Sequence, residues 1–414
     1  MRASEGRTLK DSQTQGERGD RGGEGSRLAA WRRDTPGCEH RVHLNNAGAS
    51  LMPEPVVKAV LGHLQREVEI GGYEASDEAA EPVQEVYRQL ARLLGCAPRN
   101  VAVVENATVA TSQALSAFDF APGDVLVTTR SDYVSNQLMY LALARRRGVE
   151  VLRAEDLPEG GVDADSLRRL AGHPRCKLVS VTWIPTNSGL VQDVEAVGEI
   201  CQAAGVPYLV DACQAVGQNP IDLGRLHCDY LTATARKFLR GPRGIGFLYV
   251  SDRALDRGAY PLGIDMRGAE RIAADDFALA DGARRFENWE FPYALVLGMG
   301  EAARYALEAG IEEGGARATG LAACAREKLG ALPGVRLMDR GRRLCAIATA
   351  ELAGWDAPEA VLRLRRLGIN TSASTAEDGS RVPVVRISPH YYNTAEEVDA
   401  LASAVEALLR EVRR

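Results

Sequence analysis

The chain has 414 residues, a net charge of −6, 45% apolar and 26% charged residues, an ordinary balance for a globular protein with one large domain and room for a smaller one. The acidic balance offers no basic surface for a nucleic-acid partner, and no apolar run approaches the ~20 residues that a membrane-spanning helix needs. The N-terminus lacks the apolar stretch of a secretory signal, and the eight cysteines form no C-x-x-C pair and no Cys/His cluster, so reduced thiols in the cytoplasm are expected rather than a disulfide framework or a metal site.

In chain order, residues 1–40 are rich in Gly, Ser, Arg and Glu without an apolar period and are expected to be a disordered polar tail. Pro82 to Gly95 (PVQEVYRQLARLLG) has the spacing of an amphipathic helix ended by glycine. Short apolar strands are expected at Val101–Val104, Asp124–Thr129, Lys177–Ile184, Val206–Val210, Tyr230–Ala233 and Gly246–Val250. Helices at Thr108–Phe118, Ser135–Gly148 and Val194–Gly205 separate several of them. Such alternation indicates an α/β fold with a mostly parallel sheet covered on both faces, over residues 41–282. Beyond Gly282 the texture changes to long helices, a β-rich stretch and a final helix (Glu396–Arg410), so residues 283–414 are expected to form a smaller α+β domain.

Ligands of such sheets bind outside the carboxyl ends of the strands, so polar residues just after apolar runs are the candidates. Asp211 follows VPYLV directly, and a carboxylate there needs a cationic partner or a helix to cap. Lys237 comes just past YLTA within TATARKFLRGPRGIGFLYV, flanked by Thr234 and Arg236, which suit an anion. Asn106, Ala107 and Thr108 open a helix after VAVV, as a phosphate site or a plain cap. Asn187 and Gln214, in IPTNSG and DACQAVG, are either ligand contacts or ordinary turn residues.

From HLNNAG at His43 to Thr394 these motifs resemble the class V aminotransferase family within the fold type I enzymes of pyridoxal 5'-phosphate (PLP); the stretch from Asp211 to Val250 carries most of the likeness. The resemblance implies the fold type I architecture, PLP carried on Lys237, and Asp211 paired with its pyridine nitrogen. It places Gln214, Asn187 and Tyr133 about the ring, and Ala107, Thr108, Thr234 and Arg236 at the phosphate. Arg386 is implied to bind the substrate carboxylate, with Asn46, Gly48, Tyr73, Trp289 and His390 as further substrate contacts. A small amino-acid substrate and a homodimer, with Trp289 reaching across the interface, are also implied.

Three departures narrow the reaction. Asp132-Tyr133-Val134-Ser135-Asn136 carries a tyrosine where many members have a ring-stacking histidine. Arg285-Phe286-Glu287-Asn288-Trp289-Glu290 lacks the Gly-Thr pair with which many members reach the partner's phosphate. The stretch GINTSASTAEDGSRVPVVRIS contains no cysteine where desulfurases carry their nucleophile. Segments around Glu69–Glu74, Pro185–Gly189 and Ser388–His390 are similar to lyases that cleave hercynylcysteine sulfoxide. The expectation is a C–S lyase giving pyruvate, ammonia and a sulfur-bearing product. The alternatives are an isopenicillin-N epimerase-like racemase, an aminotransferase, a cysteine desulfurase, or a binding protein on a decayed scaffold.

Overall fold

The computed structural model describes residues 16–376 and 382–412, with backbone alone at 16–24 and 412. Residues 377–381, within the cysteine-free loop, lie outside the described residues.

Seven strands form the main sheet. From one edge to the other they run Val101–Val104, Gly246–Val250, Tyr230–Thr234, Tyr208–Asp211, Cys176–Thr182, Val125–Thr128 and Glu150–Arg153. Most are apolar and buried along their length, as strands covered on both faces must be. Gly246–Val250 pairs antiparallel with both neighbours; the remaining pairs are parallel. Gly246 pairs with Val104 on one side and Thr234 on the other, so the carboxyl ends of all strands but this one meet along one rim. A Cβ at Gly246 would lie 2.4 Å from the Ala233 carbonyl oxygen and 3.2 Å from Asn106 Cα, which requires glycine there.

Helix Tyr293–Ala309 packs on both Glu54–Ile70 and Ala80–Leu94 beside this sheet. Val296, Met299, Ala302 and Ala306 belong to the large apolar cluster of the sheet, so the expected break at 282/283 falls ahead of a helix that packs with the first unit. A second apolar cluster joins Leu44 to residues between Leu321 and Leu409. It surrounds a four-stranded antiparallel sheet in the order Val335–Leu337, Ala348–Leu352, Pro383–Ile387, Ser372–Thr375. Val42–His43 adds to Ile369–Asn370 in parallel, which ties the chain's early segment to this second unit.

The expected tail over 1–40 is corrected by the structure from residue 16 onward. Gly16–Arg33 is a helix. Its Trp31 is 6% exposed and packs 4.8 Å from the Tyr391 ring, while Arg32 pairs with Glu397 at 2.8 Å. Two apolar side chains, Leu28 and Trp31, one turn apart, suffice to dock it; the glycine- and charge-rich sequence before them hides that signal.

Candidate active site

The rim bounds a cleft of about 450 Å³ lined by residues from five strand ends and two loops. Asp211 ends its strand at 4% exposure. Its Oδ1 accepts the Cys213 N–H at 2.9 Å and its Oδ2 accepts Asn136 Nδ2 at 2.9 Å. Asn136 also donates to Asp132 Oδ1 at 3.1 Å, and that oxygen takes the Thr182 hydroxyl at 2.6 Å and the Tyr133 N–H at 2.6 Å. Burial pushes the Asp132 carboxyl up, against the hydrogen bonds of Thr182 and Asn136. One side-chain amide therefore holds two carboxylates apart and fixes Asp211 where it faces the lysine.

Lys237 is 7% exposed, with Nζ 5.8 Å from the centre of the Tyr133 ring. Burial lowers its proton affinity; Cys213 and Asp211 oppose this, while Arg236 and Arg386 add to it. An amine so placed is readily neutral and nucleophilic. Arg236 donates to the Gly48 carbonyl, and burial followed by Arg243 lowers its proton affinity. Opposite them the helix Ala107–Ser116 begins, with Asn106 Oδ1 accepting the Val109 N–H at 3.0 Å. This cap leaves the N–H groups of the first turn toward the cleft, a favourable place for an anion.

The donor set fits PLP. A helix N-terminus, Thr234 and Arg236 suit its phosphate, Asp211 suits a protonated ring nitrogen, and Lys237 supplies the amine. Gln214 adds an observation of its own. It lines the cleft, and its Nε2 donates to the Ala47 carbonyl at 3.0 Å and Thr186 Oγ1 at 3.1 Å, but its buried Oε1 has no partner. Such an orphan costs free energy unless a ligand fills it.

Of the sequence candidates, Ala107, Thr108, Tyr133, Asp211, Gln214, Thr234, Arg236 and Lys237 line this cleft together. Arg386 stands behind its wall. It donates to the Thr186 carbonyl at 3.0 Å, Thr186 Oγ1 at 2.8 Å and Asn45 Oδ1 at 3.2 Å, while its buried Nε is unpartnered. Burial and then Arg236 bring its proton affinity down to about 10.

Others are not brought into the cleft. Asn187 accepts the Ser374 hydroxyl at 2.6 Å, and its neighbour Thr186 lines the cleft in its place. His390 is buried with Nε2 on the Phe238 carbonyl at 2.9 Å and Nδ1 on the Tyr391 N–H at 2.9 Å, so both ring nitrogens are taken. Asn46 is buried among His43, Ser388 and Tyr392, and Gly48 serves through its carbonyl on Arg236. Tyr73 is 78% and Trp289 52% exposed, outside the cleft of a single chain. Sequence reading missed Asn136, Thr182, Thr186 and Arg243, all of which line it. The four-residue spacing of Asp132 and Asn136 at a helix start was the available signal for the first of these. No group of three His, Cys, Asp or Glu side chains among the described residues is arranged to hold a metal ion.

The comparisons with known proteins agree with this geometry. The family model described as aminotransferase class-V matches residues 42–401. A probable cysteine desulfurase of Pyrococcus abyssi is 26% identical over 92% of this chain and 98% of its own. A probable hercynylcysteine sulfoxide lyase of Mycobacterium tuberculosis is 29% identical over 88% of this chain and 90% of its own. The apo structure of a cysteine desulfurase from Thermococcus onnurineus superposes with a TM-score of 0.83 at 23% identity, covering 92% of this chain and 98% of that one.

Proposed function

The chain belongs to the class V aminotransferase family and is a PLP-dependent enzyme; on that premise we propose that it is a C–S lyase acting on a cysteine conjugate or its sulfoxide. The observation that carries this reading is the state of its thiols. Among the described residues Cys213 is the one cysteine that lines the cleft. Burial, then the Asp211 charge, pushes that thiol far above the ordinary cysteine range, so it is a poor source of the thiolate a persulfide-forming enzyme needs. The likeness to the sulfoxide lyase, the most identical of the relatives named above, supports hercynylcysteine sulfoxide or a close relative as substrate.

When bound, PLP acts as an electron sink that makes the substrate Cα–H acidic. Lys237 is the base for that proton, helped by the burial that lowers its proton affinity. The Cβ–S bond then breaks and sulfur leaves with the electron pair. The remaining enamine takes up water to give pyruvate and ammonia. Arg386 holds the substrate carboxylate through its unpartnered edge. Asp211, anchored by Asn136 and the Cys213 N–H, places its carboxylate at the cleft floor. Tyr133 covers Lys237 without offering an imidazole, which leaves the lysine as the proton carrier at this end.

We also propose a cytoplasmic homodimer. Val134 and Leu138 on one helix, with Leu262, Met266, Ile272 and Trp289, are exposed apolar side chains that a second copy would cover. No helix among the described residues is long and apolar enough to cross a membrane, and the eight cysteines are unpaired, as in a reducing compartment.

The test incubates the purified holoenzyme and its Cys213→Ser variant with cysteine conjugates, sulfoxides included. Pyruvate, ammonia and a free sulfur-bearing fragment are expected from both proteins. Alanine formed from cysteine and abolished by Cys213→Ser would overturn the lyase reading, as would efficient transfer of the amino group to a keto acid.

A further inference from the structure

Three residues past Lys237 lies a buried cation held by neutral groups. Arg240 is 1% exposed. Nε donates to the Leu51 carbonyl at 3.0 Å, Nη1 to the Tyr391 hydroxyl at 2.9 Å and Nη2 to Thr35 Oγ1 at 2.6 Å. The guanidinium carbon lies 4.5 Å from the centre of the Tyr392 ring, 5.2 Å from Tyr391 and 5.6 Å from Tyr305. No carboxylate pairs with it among the described residues. A cage of three aromatic faces with neutral acceptors is an arrangement suited to a delocalised guanidinium rather than to an ammonium.

Its backbone is equally specific. Arg240 adopts φ of +62°, in the left-handed region that side-chain-bearing residues avoid. Its N–H closes a turn on the Lys237 carbonyl at 2.9 Å, and the next N–H, of Gly241, reaches the Ala235 carbonyl at 2.8 Å. The turn that follows the lysine is therefore held in an unfavourable conformation, which persists where surroundings over-determine it. The strap of residues 48–51 fastens both sides of that turn. The Ser50 N–H donates to the Arg236 carbonyl at 2.8 Å, Gly48 accepts from the Arg236 side chain, and Leu51 accepts from Arg240. Thr35 links the same guanidinium to the N-terminal helix through the Trp31 carbonyl at 2.6 Å.

We propose that Arg240 is a positioning residue for Lys237: its caged guanidinium fixes the reversal after the lysine, and thereby the depth and orientation of the amine in the cleft. The inference rests on Lys237 carrying the cofactor. Three chain segments distant in sequence converge on this one side chain, so the lysine's position depends on the N-terminal helix and on Tyr391 and Tyr392.

The experiment compares holoenzyme of wild type, Arg240→Lys and Tyr305→Phe. It reads the pH midpoint of the bound cofactor's visible absorbance, the rate at which borohydride fixes the cofactor to Lys237, the melting temperature, kcat and KM. Arg240→Lys keeps the charge but cannot reach three acceptors. It is expected to move the pH midpoint by about half a unit or more and to lower kcat about tenfold with KM nearly unchanged, as a misplaced reacting group does. Tyr305→Phe, which keeps the third ring of the cage and removes a hydroxyl that bonds Asp34 rather than Arg240, is expected to behave as wild type in midpoint and kcat. A wild-type midpoint and kcat in Arg240→Lys, with only the melting temperature lowered, would overturn the proposal. Failure of borohydride to label Lys237 in the wild type would instead overturn the cofactor assignment, a distinguishable outcome.

Discussion

Replacing Arg386 by methionine should cost function far more than stability. The guanidinium is 7% exposed, and burial with Arg236 nearby brings its proton affinity down from the ordinary arginine range to about 10. At 1.36 kcal/mol per pH unit, carrying this charge in the fold costs on the order of 3 kcal/mol. The sign follows from a cation with a depressed folded value. The cost is fully present below about pH 10 and fades as pH rises above it toward the ordinary arginine range, so it is constant across the neutral range. Against it stand the three hydrogen bonds to Thr186 and Asn45, about 1.5 kcal/mol each at the low end for a charged donor. The two sums differ by no more than about 2 kcal/mol. Methionine should therefore shift the melting temperature by less than about 3 °C, taking about 2.1 cal/mol/K of unfolding entropy per residue. Catalysis has no such offset. One or two charge-assisted hydrogen bonds to a carboxylate are worth about 1.5–3 kcal/mol each, so kcat/KM should fall at least about tenfold. The assay is release of ammonia and of the sulfur-bearing fragment from a cysteine conjugate and from its analogue lacking the carboxylate, with melting followed without substrate. The loss should be confined to the carboxylate-bearing compound. A melting temperature lowered by more than about 10 °C, or equal losses on both compounds, would refute the argument and make Arg386 a structural anchor.

Lys237→Ala should bind no cofactor that borohydride can fix covalently; a label on another lysine in the wild type would place the site elsewhere. Asp211→Asn should keep the fold, because the amide oxygen still accepts from Cys213 or Asn136, yet reduce turnover by about two orders of magnitude or more through loss of a fixed charge at the reacting centre; near-normal kcat would make Asp211 structural. Light scattering should give twice the chain's 44.6 kDa, and a Leu138→Glu, Leu262→Glu double change should shift that value toward one chain; an active wild-type monomer would contradict the dimer.

The strand ends were legible because fully buried parallel strands leave a plain trace, unbroken apolar runs followed at once by a polar residue. VPYLV into Asp211 and YLTAT toward Lys237 are read directly. The cofactor end of the cleft follows from them, since its residues are local to those runs. The rest depends on contacts distant in sequence. Arg386 reaches the site only because its strand lies against Thr186, 200 positions earlier. His390 has the composition of a ligand residue, but its partners, the Phe238 carbonyl and the next backbone N–H, are visible only in three dimensions. The N-terminal helix escaped because its docking rests on Trp31 against Tyr391, a contact that no apolar period announces.

The charges of the cleft also say which groups it suits. Arg236 and Arg386 are both buried enough to lose proton affinity, Arg243 disfavours Arg236, and both Arg236 and Arg386 disfavour the protonated Lys237. Against these cations stand Asp211 and Asp132, and burial draws Asp132 toward its neutral form. The excess positive charge lies in two places, one beside the helix start at Ala107 and one beside Thr186. A dianionic phosphate relieves the first and a carboxylate the second. Filling the first also lowers the repulsion that Arg236 exerts on Arg386. Arg386 stays charged across the neutral range with or without substrate, so this relief stabilises the cofactor-loaded fold, while carboxylate binding rests on the hydrogen bonds the guanidinium still offers.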